Sequence, residues 1–146
     1  MNDLEELYQE VVLDHSRAPR NFGTLGKDAI SSRGANPSCG DHLALQMRVE
    51  AGKVAQVRFC GDGCAISRAS ASLMTEAVQD LSVDEARELF GRVHRLLTTG
   101  EAGCPAEALG KLFVLAGVWQ YPSRVKCATL PWHTLRSALD QAEQTR

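Results

Sequence analysis

Hydrophobic and polar positions fall into two periods along this chain, and they change places in a definite order. Residues from Leu4 to about Ser16 carry Leu4, Leu7, Val11 and Val12 near helical spacing, and Pro19 ends the pattern. The period then drops to two. Ala29–Ala35 is a weak, glycine-interrupted strand. Leu43–Glu50 is a stronger one, with Leu43, Leu45, Met47 and Val49 alternating against Ala44, Gln46, Arg48 and Glu50. A turn at Gly52-Lys53 leads into Val54–Cys60, where Val57 and Phe59 share one face and Gln56 and Arg58 the other. Helical spacing returns from Cys64 to about Gln79 with Ile66, Ala69, Leu73 and Ala77 on one stripe.

Ser82-Val83-Asp84-Glu85 is a capping box, so another helix starts there and buries Ala86, Leu89, Phe90, Val93 and Leu97. Pro105 suits the first turn of the next helix. From Leu109 to Trp119 the chain is apolar almost all round, which predicts deep burial. Tyr121-Pro122-Ser123 breaks that segment. The last helix then either starts near Pro131 or kinks there, because an interior proline costs about 3 kcal/mol. Trp132, Leu135, Ala138 and Leu139 form its buried stripe. The order helix, three strands, helices predicts an α+β fold: a small three-stranded antiparallel sheet packed by about five helices, in one domain spanning 1–146.

Composition narrows the function. A hydrophobic content of 44% with 23% charged residues is that of an ordinary globular protein. A net charge of −2, with no basic patch and no aromatic stacking series, argues against nucleic acid as a partner. No apolar run is long enough to span a bilayer, and the acidic start of the chain is no secretory signal, so a cytoplasmic protein is expected. The basic loop Arg17-Ala18-Pro19-Arg20-Asn21-Phe22-Gly23 reads either as a solvated connector or as a partner contact.

The five cysteines change the picture most. In such a chain they are thiols or metal ligands rather than disulfides, and an odd number cannot all pair. Three of them sit beside glycines or at element ends: Cys39 in Asn36-Pro37-Ser38-Cys39-Gly40-Asp41, Cys64 in Gly61-Asp62-Gly63-Cys64, and Cys127 in Arg124-Val125-Lys126-Cys127. A hairpin of nearly equal arms returns Cys64 to the end where Cys39 lies. With Asp41 the three thiols make four donors, enough for a tetrahedral thiolate-loving metal such as zinc or for an iron–sulfur centre. Three thiolates, one carboxylate and Zn²⁺ sum to −2, which Arg124 and Lys126 are placed to offset. A carboxylate is unusual in a closed structural zinc site, so this one is expected to exchange a ligand. Cys39, on a glycine-containing loop, is the most reachable thiol. Cys64, where a helix begins, gains from its backbone N–H groups and dipole.

Other readings stand beside these. A lone cysteine is most often a small buried hydrophobe, and Cys60 and Cys104 fit that role. His42 follows Asp41 directly, which makes a shared site awkward. His15, His94 and His133 sit in helical patterns as surface or core residues. Lys126 is either a solvated charge or a counter-charge.

At these residues the chain resembles the SufU branch of the IscU/NifU-N iron–sulfur cluster assembly family. The matching pieces are Leu7-Tyr8 through Asp14-His15, Pro19-Arg20-Asn21, Asn36 to Asp41, Gly61 to Ser67 with Ser70-Ala71-Ser72, and Arg124 to Ala128 with Leu130 and Trp132-His133. The resemblance implies ligands at Cys39, Asp41, Cys64 and Cys127. The IscU branch carries a histidine just before its last cysteine; Lys126 stands there, which favours the SufU type, as does the long middle region Ser82–Gly103. In that branch one zinc occupies the site. The protein is similar to a sulfur acceptor that takes persulfide onto Cys39 from a SufS-type cysteine desulfurase, for downstream iron–sulfur assembly proteins, rather than an independent enzyme. A scaffold for a transient iron–sulfur cluster at the same ligands is the second expectation, and a purely structural zinc domain the third.

Overall fold

The computed structural model describes residues 3–37 and 40–144. Its order is α1 (Asp3–Arg17), β1 (Ile30–Asn36), β2 (Asp41–Glu50), β3 (Lys53–Asp62), α2 (Ala65–Val78), α3 (Val83–Thr99), α4 (Ala106–Leu109), a 3₁₀-helix (Gly110–Gln120) and α5 (Pro122–Gln144). Among the described residues this is one antiparallel sheet in the order β1-β2-β3, packed by five α-helices, as the two periods predict.

Alternation along β2 decides which way the sheet faces. Asp41, Leu43, Leu45 and Met47 are buried, while His42 points to solvent. Val54, Val57 and Phe59 of β3 complete the covered face. α5 lies across β1 and β2, and α2 packs between α5 and α1. The β2–β3 turn sits one residue earlier than expected, at Ala51-Gly52, because Glu50 pairs with Lys53. Both turn residues have positive φ (54° and 76°), the conformation that matches strand twist in a two-residue hairpin.

The capping box forms in full: Ser82 Oγ accepts Glu85 N–H and Glu85 Oε1 accepts Ser82 N–H, each at 3.0 Å. Four expectations need correction. In α1 the buried stripe runs through Tyr8 and His15, with Val11 and Val12 half-buried, and Leu7 faces outward. Seven residues make about two helical turns, so Tyr8 and His15 share a face that Leu7 cannot. The segment after Leu109 is a 3₁₀-helix, because Gly110 (φ 57°, ψ −131°) leaves the helical region. Its Trp119 is half-exposed and lies over Gly100, the left-handed cap of α3, where any side chain would strike its ring. Finally, α5 does not start near Pro131; it runs from Pro122 through the proline, which leaves that residue inside the helix. Pro131 withholds one N–H from the Cys127 carbonyl, and the complete burial of Trp132 and Leu135 beside it offsets that loss.

The loop Arg17–Gly23 is pinned rather than free. Arg20 N–H donates to Ser72 Oγ (2.8 Å) and Asn21 Nδ2 to Thr75 Oγ1 (3.1 Å). Phe59 N–H donates to Asn21 O (3.0 Å) and Gly23 N–H to Phe59 O (2.8 Å), so the loop runs briefly along β3. Among the described residues no helix is long and apolar enough to cross a membrane.

Candidate metal centre

Three elements deliver one side chain each to the same end of the sheet. Asp41 opens β2 and is the first residue of its inward row, which is why its carboxylate is 3% exposed while the adjacent His42 is in solvent. The turn into β2 closes with Gly40 N–H on Asn36 O (3.0 Å), at a φ of 73° that glycine adopts without strain. Ser38 and Cys39 lie outside the described residues, so the first of the four expected ligands is not placed.

Cys64 is the N-cap of α2, with extended backbone (φ −69°, ψ 168°), and its sulfur accepts the Ser67 N–H at 3.4 Å. Its own N–H donates to Asp41 Oδ1 at 2.9 Å, and Cys64 Sγ stands 3.8 Å from Asp41 Oδ2. Gly63 makes this possible: a Cβ there would sit 3.3 Å from Asp41 Oδ1 and 3.2 Å from Ser67 Oγ, so a larger residue would press the carboxylate away. Cys127 enters from α5, buried at 8% exposure. Ser70 ties α5 to α2 by donating to Ala128 O (2.6 Å) and accepting Trp132 Nε1–H (3.1 Å), one residue from Cys127 and six from Cys64.

The result is a set of donor atoms, one each from Asp41, Cys64 and Cys127, all within 4.8 Å of one another. Two thiolates on a tetrahedral zinc stand about 3.8 Å apart, given Zn–S bonds of about 2.3 Å. A small contraction therefore fits these three around one cation. Electrostatics point the same way. Burial, then the neighbouring Cys64 and Asp41, push the Cys127 thiol well above its ordinary 9.0. Such a site holds its proton until a cation replaces it, and a bound metal deprotonates its thiols outright.

The remaining candidates lie elsewhere. His42 Nε2 is 3.6 Å from Asp62 on the exposed side. His94 and His133 pack on Phe90 at the α3–α5 surface. Cys60 and Cys104 are half-buried free thiols. Lys126 is exposed; Arg124 stacks over Tyr121 (4.2 Å) and Tyr8 (5.4 Å), with Glu5 3.7 Å away. Sequence reasoning quoted Tyr8 and Ser70 for the resemblance and read Ser67–Ser72 as a run small enough for close packing, but gave neither residue a role at the site; the helical spacing of Tyr8 with His15 was the available signal for the first.

Residues 7–128 match the model of the NifU-like N-terminal domain family. The chain is 37% identical over 143 residues to the iron–sulfur cluster assembly scaffold protein IscU of Streptococcus pyogenes serotype M1, covering 97% of this chain and 88% of the relative. It is 36% identical over 141 residues to the zinc-dependent sulfurtransferase SufU of Bacillus subtilis, covering 97% and 95%. Among solved structures, an iron–sulfur cluster assembly scaffold protein for the SUF system from Fervidobacterium islandicum AW-1 superposes with a TM-score of 0.83 at 34% identity, over 92% of this chain and 98% of that one. With its sheet, its helices and this donor cluster in the arrangement described, the chain belongs to the NifU-like N-terminal domain family.

Proposed function

We propose that this protein is a zinc-bound sulfur acceptor in iron–sulfur cluster assembly, working with a SufS-type cysteine desulfurase in the cytoplasm. The observation that carries the reading is the convergence of Asp41, Cys64 and Cys127 to within 4.8 Å, with Asp41 and Cys127 buried and Cys64 half-buried. Two sulfurs and one carboxylate oxygen suit zinc, and Cys39, two positions before Asp41 in sequence, is the fourth donor. The ion, one per chain, would keep the ligand thiols ionised at neutral pH. The name of the Bacillus subtilis relative, a zinc-dependent sulfurtransferase, supports this chemistry.

The chain's own residues divide the work. Cys64 and Cys127, fixed by the α2 cap and by Ser70, hold their places. Cys39 reacts: its thiolate attacks the outer sulfur of the desulfurase persulfide, a new S–S bond forms, the old one breaks, and the desulfurase cysteine leaves as thiolate. No external oxidant or reductant is needed. The Cys39 persulfide then passes its sulfur to downstream iron–sulfur assembly proteins, so the chain is a partner of an enzyme rather than an independent one, and its residues 1–146 act as a single unit. A second reading, a scaffold that builds a transient cluster on the same ligands, is favoured by the name of the streptococcal relative.

Metal analysis of protein purified without oxygen, followed by persulfide trapping after incubation with desulfurase and cysteine, tests both. One zinc per chain and a persulfide on Cys39 are expected. Cys39→Ala should take up no sulfur while its fold stays largely intact. A coloured cluster without zinc would select the scaffold, and a persulfide on another cysteine would overturn the assignment of the acceptor.

A further inference from the structure

Of the four histidines, two have engaged ring nitrogens and two do not. His15 bonds Ser72 Oγ (2.7 Å) and faces Glu76. His42 reaches the Gly40 carbonyl (3.4 Å) and Asp62 (3.6 Å). The side chains of His94 and His133 make no hydrogen bond or ion pair among the described residues. These two are neighbours. His94 lies on α3 and His133 on α5, and the two helices pack together. Their ring centres are 5.4 Å apart, with the planes at 69°. Phe90, one turn before His94, stacks on that ring (5.7 Å) and meets His133 at 64° (5.8 Å). One aromatic ring therefore backs both imidazoles and keeps them side by side.

The spacing has a chemical meaning. With metal–nitrogen bonds of about 2.0–2.1 Å and a ring centre about 1.2 Å behind each nitrogen, two imidazoles on a tetrahedral ion stand about 5.2 Å apart, centre to centre. The pair is already at that distance. His133 is exposed and His94 half-buried, and the torsion that turns an imidazole is soft, so a nitrogen of each can aim at one point without moving the helices. Burial, then the charges of His94 and Arg136, hold His133 below its ordinary 6.5, which leaves a lone pair available at neutral pH. The Arg136 guanidinium, 5.8 Å over Phe90, opposes any ion held by charge alone. Imidazole nitrogen suits zinc, nickel and copper, whereas magnesium and calcium take oxygen. Among the described residues no third His, Cys, Asp or Glu donor joins the pair in a cluster within 4.8 Å.

We propose that His94 and His133 form a second metal site, a two-imidazole chelate for a late first-row divalent ion (zinc, nickel or copper) whose remaining positions are filled by water. It uses neither the thiols nor Asp41, so it stands independently of the sulfur-acceptor reading. His133 is six residues past Cys127, about 9 Å along α5, and faces solvent where Cys127 is buried. With two neutral ligands in place of thiolates, the pair holds its ion more loosely. Zinc beyond one equivalent should bind here and leave on gel filtration.

Nickel is the probe, because it favours imidazole and its unpaired electrons broaden nearby NMR signals. In wild type labelled with ¹⁵N-histidine and used as purified, the ring signals of His94 and His133 should broaden together, at a nickel concentration that leaves His15 and His42 unchanged. His94→Gln and His133→Gln should each weaken nickel binding about a hundredfold, and the double variant no further, because the gain comes from holding one ion twice. His42→Gln should bind as the wild type does. Signals that broaden at different nickel concentrations, or losses that add up in the double variant, mean two separate single-histidine contacts and overturn the proposal. Broadening of His42 as strong as that of the pair overturns it too. The wild-type spectrum decides the matter even if a variant is unstable. Cys127→Ala should keep the nickel response of the pair, so failure of the thiol centre and failure of the histidine site are told apart.

Discussion

Two buried polar clusters lie along α2, and they are built on opposite principles. At Ser72, near the middle of the helix, every group has an answer. Arg20 N–H donates to Ser72 Oγ (2.8 Å), and Ser72 Oγ and His15 Nδ1 share a hydrogen bond (2.7 Å). The other edge of the His15 ring faces Glu76, 3.8 Å away. Thr75 donates to Ser72 O (2.8 Å) and receives Asn21 Nδ2 (3.1 Å). At the start of the same helix, Asp41, Cys64 and Cys127 crowd three groups that all become anions into 4.8 Å. One cluster is complete without a ligand and fastens α1 and the Arg17–Gly23 loop to α2. The other is arranged around a positive charge that the chain does not itself supply. A polar cluster that closes on itself holds a fold together, and one that does not is kept for chemistry.

The largest effect that would break this contrast is at the open cluster. Saturating zinc at about a thousand times its dissociation constant should stabilise the wild type by about 4 kcal/mol. Cys64→Ala and Cys127→Ala should each lose nearly all of that gain while staying folded without metal, as thermal melts with and without a chelator would show. A variant that keeps the gain would mean its cysteine is not a ligand.

Next in size is the closed cluster. Ser72→Ala strands His15 Nδ1 and the Arg20 N–H together. The expected loss is about 3 kcal/mol, from about 1–3 for each stranded group, read from urea unfolding. Zinc affinity should hardly change, because the Ser70 link between α2 and α5 is untouched. If affinity falls as far as stability, the two clusters are one cooperative unit and the contrast fails.

The open cluster was far more legible in the sequence than the closed one, for a physical reason. Strand parity buries Asp41 with Leu43, and a glycine-led helix start places Cys64; both are local rules. Cys127 was singled out by its place at an element end, and the resemblance at Arg124–Ala128 then implied it as a ligand. The closed cluster joins residues 52 and 57 positions apart by single hydrogen bonds, and nothing near His15 or Arg20 announces Ser72. The same blindness made Arg17–Gly23 look like a possible solvated connector. Trp119 defeated the apolar count because its partner is the bare backbone of Gly100, which no periodicity contains.

The smallest effect separates the clusters by pH, each on its own side of neutrality. Burial, ahead of the Arg20 charge, lowers the folded pKa of His15 below its ordinary 6.5. The unfolded ring takes its proton at 6.5 and the folded one later, so stability present above 6.5 falls as pH drops through the folded value. His133, lowered by burial and by His94, adds in the same direction. Cys127 is displaced the other way, upward from 9.0. Its unfolded thiol releases a proton above 9.0 that the folded one keeps, so stability of the metal-free protein falls as pH rises past 9.0. Tyr8, raised from 10.0 by burial, joins about a unit later. Each limb steepens by at most about 1.4 kcal/mol per pH unit for every proton involved. Denaturant midpoints measured across pH with a chelator present should therefore form a dome. In Cys127→Ala the alkaline limb should flatten between pH 9 and 10 while the acid limb stays, and zinc should flatten it in the wild type. An alkaline limb unchanged by either would place its proton outside the open cluster.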